Sequence, residues 1–73
     1  MAGTILIAGS AEQAIHDSPI PVLRLLGVAE TASDVTISGH VHTYYFKQLA
    51  QETILPLLNG RQLINQIVVD PQS

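Results

Sequence analysis

Two histidines set two apart, His40 and His42, are the first residues in this chain whose spacing suggests chemistry. On a β-strand, residues i and i+2 share a face, so both imidazoles would point the same way, as a zinc-binding pair requires. A third ligand is not evident, because His16 is distant and the nearby acid is Asp34. Solvated histidines at the end of a strand are the plainer reading, and neither a metal nor any other cofactor is expected. The adjoining run His42-Thr43-Tyr44-Tyr45-Phe46-Lys47 offers a different chemistry. Placed at a helix N-terminus, the amides of Tyr44 and Tyr45, beside His42, Thr43 and Lys47, could hold a phosphate head group while the tyrosines rest at a lipid interface. The bland alternative has Tyr45 flanking the core, Tyr44 exposed and Lys47 solvated. Serine, histidine and aspartate are all present, yet no glycine-flanked nucleophile elbow appears. The glycines form no phosphate-cradling loop, and the Gly-x-x-Gly loop of RNA-binding modules of similar element order is missing. No catalytic residue stands out, and an enzyme is not expected.

The helix that would position this run begins after Thr43, a natural N-cap between an alternating segment and a helical one. At about 100° per residue, Phe46, Leu49, Ala50, Thr53 and Leu57 fall on one stripe that needs a sheet to cover. Pro56 deletes a hydrogen bond to the Glu52 carbonyl and should bend or end the helix, and Asn59-Gly60 supplies a left-handed C-terminal cap. Upstream, Val35, Ile37, Gly39 and Val41 alternate with Thr36, Ser38, His40 and His42, which predicts a strand with the first set inward. Gly39 lies on the inward side, where a missing side chain would let the crossing helix approach, although a bulge would serve equally. Thr31-Ala32-Ser33-Asp34 reads as the turn of an antiparallel hairpin whose first strand runs from Val22 to Glu30. Before it, Ser10 and Gln13 have the spacing of a capping box that starts a short helix. Pro19 and Pro21 end that helix, near Asp17. Leu63 to Val69 is the last strand.

These elements predict one α+β domain over residues 10–70, of order αββαβ, with a small three-stranded mixed sheet and two helices on one face. Residues 1–9 contain the apolar run Ile5-Leu6-Ile7-Ala8 and read as an arm or an extra edge strand. The run is too short for a membrane span and lacks the basic start of a signal peptide. The opposite side of the sheet would carry Thr36, Ser38 and His40 among apolar neighbours, with nothing left in the chain to cover it.

Composition narrows the partners. A chain of 73 residues buries only roughly 60% of its unfolded surface, so a monomer is marginal and a homodimer or small oligomer is expected. Charged residues make up 12% of the chain, with a net charge of −3 and Arg24, Lys47 and Arg61 as its fixed cations, which argues against nucleic acid. There is no cysteine, hence no disulfide and no thiolate metal site.

From Ser18 to Val69 the chain resembles the BON family, small bacterial modules of envelope and osmotic-stress proteins. Val35-Thr36-Ile37-Ser38-Gly39-His40-Val41 is similar to the family's V-T-L-x-G-x-V strand, and Thr43-Tyr44-Tyr45-Phe46-Lys47-Gln48-Leu49-Ala50 to its S-Y-Y-x-K-Q-x-A helix start. Ile64-Asn65-Gln66-Ile67 is similar to its V-N-x-I in the last strand. Pro56 and the Asn59-Gly60 turn depart from the usual pattern. The resemblance implies phospholipid binding and no enzymatic activity; weighed with the small core and the uncovered side of the sheet, the first expectation is a non-catalytic interaction domain that contacts itself or a larger protein, with phospholipid binding as the alternative. It implies an envelope location if the chain is a fragment of a secreted protein, against the cytoplasm if it is complete.

Overall fold

A computed structural model describes residues 10–71; the arm or edge strand expected at residues 1–9 lies outside them. The order is α1 (Ser10–His16), a 3₁₀ turn (Leu23–Leu25), β1 (Gly27–Glu30), β2 (Asp34–Val41), α2 (Tyr44–Ile54), a second 3₁₀ turn (Leu55–Leu57) and β3 (Gln62–Val69). The fold is α+β. β2 is the middle strand, antiparallel to β1 and parallel to β3. Parallel neighbours need a crossover, and α2 supplies it by carrying the chain from the end of β2 back to the start of β3.

The alternation of β2 holds as expected: Val35, Ile37 and Val41 are fully buried, while His40 is exposed. Ala11 and Ile15 of α1, Leu23, Leu26, Ala50 and Ile54 of α2, and Ile67 of β3 complete the core. Both helices therefore lie on one face of the sheet. In the β1–β2 turn, Thr31 Oγ1 accepts from the amides of Ser33 (3.2 Å) and Asp34 (2.9 Å), so the hydroxyl does the work of a turn carbonyl.

Several expectations need correction. Val22 to Leu26 is not strand. Leu23 and Leu26 are buried and Leu25 is exposed, the three-residue spacing of a helical turn, and the amides of Leu23 and Arg24 donate to the Ile20 and Pro21 carbonyls at 3.0 and 3.1 Å, closing that turn. The capping box at Ser10 does not form. The Glu30 carboxylate takes the Glu12 amide at 3.0 Å, and Gln13 Nε2 turns to Asp17 at 3.4 Å. Among the described residues, Ser10 Oγ has no hydrogen-bond partner. Gly39 makes room for Leu26 and not for α2: a Cβ there would lie 2.8 Å from Leu26 Cδ2, and the backbone sits at φ +132°. The stripe on α2 centres on Ala50 and Ile54, and Leu58 beyond the helix packs against the core.

The end of α2 follows its local chemistry. With no amide at Pro56 the helix tightens into the 3₁₀ turn, and Asn59 (φ 52°) and Gly60 (φ 85°) reverse the chain in left-handed conformations. Arg61 fills the gap that results. It donates to the Leu57 and Leu58 carbonyls at 3.0 and 2.8 Å and pairs with Glu30 at 2.9 Å, with side chains only 10% and 4% exposed. Because Glu30 also holds the Glu12 amide, this one carboxylate joins α1, β1 and the α2–β3 connection.

Candidate functional site

The residues singled out for chemistry gather where β2 ends and α2 begins. Thr43, extended at φ −135° and ψ 153°, caps the helix: its Oγ1 accepts the Phe46 amide at 3.2 Å. The first amides of a helix lack intrahelical acceptors, so those of Tyr44 and Tyr45 are the ones a ligand would meet. Both tyrosines stand out into solvent, at 68% and 66% exposure, and the Tyr45 ring tilts against Phe46 at 5.7 Å between centroids. Lys47 is half-buried and lines a groove of ≈ 240 Å³ with Tyr44, Gln48, Gln51, Glu52 and Leu55. Glu52 opposes the lysine charge within that groove and accepts from Gln48 Nε2 at 3.3 Å, which weakens the groove as an anion site. The other two cations are committed elsewhere: Arg61 to Glu30, and Arg24 to the Ser18 carbonyl at 2.8 Å. A wider concavity of ≈ 400 Å³ over α1 is lined by Glu12, Gln13, His16 and Asp17, whose two carboxylates make it unsuited to phosphate.

The histidines meet an acid that sequence spacing did not suggest. Parallel pairing sets His40 beside Val68 and Val41 beside Val69, which brings Asp70 level with His42. His42 Nδ1 lies 3.2 Å from the Asp70 carbonyl oxygen, and His40 Nδ1 lies 4.0 Å from Asp70 Oδ2. Asp34, the acid nearest in sequence, sits at the opposite end of β2. Among the described residues no group of three histidine, aspartate or glutamate side chains is placed to hold a metal ion. The Asp70 contact with His42 is through backbone, and His40 and Asp70 are both about two-thirds exposed, at 68% and 67%.

The second feature is the outer face of the sheet. The register aligns Ala29, Thr36 and Ile64 in one row, Gly27, Ser38 and Gln66 in the next, and His40 with Val68 beyond. No element among the described residues covers this face. Ile64 is half-buried and Val68 half exposed there.

Beyond these positions, sequence reasoning missed Asn65. Its side chain donates to Gln51 Oε1 at 3.0 Å and accepts the Ile67 amide at 3.0 Å. The available signal was its phase: Asn65 shares the inward side of β3 with Leu63, Ile67 and Val69, and a polar residue there needs a partner. Among the described residues no helix is long and apolar enough to cross a membrane. No protein-family model, no curated protein and no solved structure matches the chain.

Proposed function

We propose that this chain is a non-catalytic interaction domain of BON-like type that associates through the outer face of its sheet, with a second copy of itself or with a larger protein. One observation carries the reading: a three-stranded sheet has both helices on one side, and its other side, with Ile64 and Val68, is uncovered among the described residues. The size of the face sets the strength. Strands spaced about 4.8 Å apart and rising about 3.3 Å per residue give roughly 380 Å² for three strands of eight residues, an upper bound because β1 is shorter. Stable protein interfaces bury about 800 Å² per partner, so pairing of two such faces belongs to the weak, transient class. A low fraction of charged residues, 12%, leaves little repulsion to oppose it.

Sedimentation equilibrium from low to high micromolar concentration tests this. The expected mass rises with concentration in the wild type and stays monomeric in Val68→Glu, whereas a monomer mass throughout for the wild type refutes it.

A second reading, phospholipid binding by His42, Thr43, Tyr44, Tyr45 and Lys47, is favoured by the exposure of both tyrosines beside a capped helix N-terminus. Its chemistry is thin, because Lys47 is its only fixed cation and Glu52 faces it across the groove. Flotation with anionic vesicles at low salt separates the two. Recovery of protein with the vesicles, lost in Lys47→Ala, supports the lipid reading, and protein left at the bottom of the gradient removes it.

A further inference from the structure

Among the described residues the sheet has a long free edge, that of β3. Hydrogen bonds at both ends of β3 set which residues face it: the Gln62 amide donates to the Ser33 carbonyl at 2.9 Å and the Asp70 amide to the Val41 carbonyl at 2.7 Å. Even-numbered residues therefore turn their backbone groups towards β2. In a parallel pair both backbone groups of a residue point to the same side and alternate along the strand. Leu63, Asn65, Ile67 and Val69 consequently present theirs to the open edge. Eight uncharged residues, Gln62–Val69, would ordinarily be an inviting template for another strand. At the opposite side of the sheet β1 offers only four residues, Gly27–Glu30, and short length is itself a protection.

Asn65 changes the edge of β3. Its Oδ1 takes the Ile67 amide at 3.0 Å, in the middle of the row that an incoming strand would need. Its Nδ2 is fixed in turn by Gln51 Oε1 on α2 at 3.0 Å, so the amide group is locked in the orientation that blocks the edge. An added strand, parallel or antiparallel, must displace that side chain and leave its carbonyl without a partner in a half-buried position. We infer that Asn65, held by Gln51, closes the edge of β3 to strand addition, so that partners reach this sheet on its face and are refused at its edge.

Amide hydrogen exchange in the wild type, Asn65→Val and Asn65→Asp tests the inference. In the wild type the Ile67 amide exchanges about tenfold more slowly than those of Leu63 and Val69, although all three face the same open edge. Asn65→Asp keeps the acceptor and keeps the protection. In Asn65→Val the Ile67 amide falls to the rate of its neighbours in dilute solution, and on concentration the amides at 63, 67 and 69 become protected together as two β3 edges pair about a two-fold axis. Equal exchange at Ile67, Leu63 and Val69 in the wild type overturns the inference. So does an Asn65→Val chain whose edge amides remain unprotected at high micromolar concentration. Association through the outer face does not touch these amides, so its failure and the failure of the edge inference are read independently.

Discussion

Replacing Glu30 with glutamine, a change of one atom, should cost this protein far more than the same change at an exposed carboxylate such as Glu52. The carboxylate is 4% exposed, receives the Arg61 guanidinium at 2.9 Å and the Glu12 amide at 3.0 Å, and thereby ties α1 and β1 to the α2–β3 connection. Glu30→Gln keeps the shape but removes the charge and leaves one acceptor oxygen for two donors, the Arg61 guanidinium, 10% exposed, and the Glu12 amide, so that one hydrogen bond survives and the other is lost. Breaking a fully buried ion pair costs about 3–5 kcal/mol, and the surviving hydrogen bond brings the expectation down to about 2–3 kcal/mol. A chain of 73 residues has a total stability of roughly 4–11 kcal/mol, so the loss is a large share of it. At about 4–8 °C per kcal/mol for a domain of this size, the melting temperature should fall by at least about 8 °C. Thermal unfolding followed by circular dichroism reads it, with Glu52→Gln as the control, since Glu52 is exposed and its replacement should cost under about 0.5 kcal/mol. The double variant Glu30→Leu with Arg61→Met should recover much of the loss, because no buried charge is then left alone. A melting temperature for Glu30→Gln within a degree of wild type would refute the reasoning.

Other expectations follow from single contacts. Gly39→Val drives a side chain against Leu26 at a position with φ +132°, and urea unfolding should show a loss of about 1–3 kcal/mol from overpacking, with backbone strain in addition; an unchanged midpoint would sink it. Thr43→Ala removes the acceptor for the Phe46 amide and should cost about 1 kcal/mol in the same assay, recovered in large part by Thr43→Ser. Zinc should not bind at micromolar concentration; a one-to-one calorimetric stoichiometry lost in His42→Ala would contradict the geometry around Asp70.

Where the structure was legible from sequence, local chemistry and tertiary packing agreed. The alternation from Val35 to Val41, the cap at Thr43, the tightening at Pro56 and the left-handed pair Asn59-Gly60 are short-range signals, and each appears where it was expected. The failures came where a distant partner outbid a local one. Gln13 lies at capping-box spacing from Ser10, but Glu30 reaches the helix start from 18 residues away and satisfies the Glu12 amide. Leu23 to Leu26 is apolar enough for a strand, yet Leu26 is needed over Gly39 and the segment coils to place it there. The contact of both histidines with Asp70 depends on the parallel register of β2 and β3, which no spacing within either strand encodes. Asn65, like Glu30 on β1, is a polar residue on an inward strand face, and its partner Gln51 sits on the helix across from it.

Association through the outer face of the sheet should be visible at the residues of that face. A ¹H–¹⁵N dilution series from low to high micromolar concentration reads it residue by residue. Such association predicts concentration-dependent shifts at Ala29, Thr36, Ser38, Ile64, Gln66 and Val68, with Tyr44, Tyr45 and the edge amide of Leu63 unmoved. Shifts confined to the start of α2, or to the odd-numbered residues of β3 alone, would contradict it.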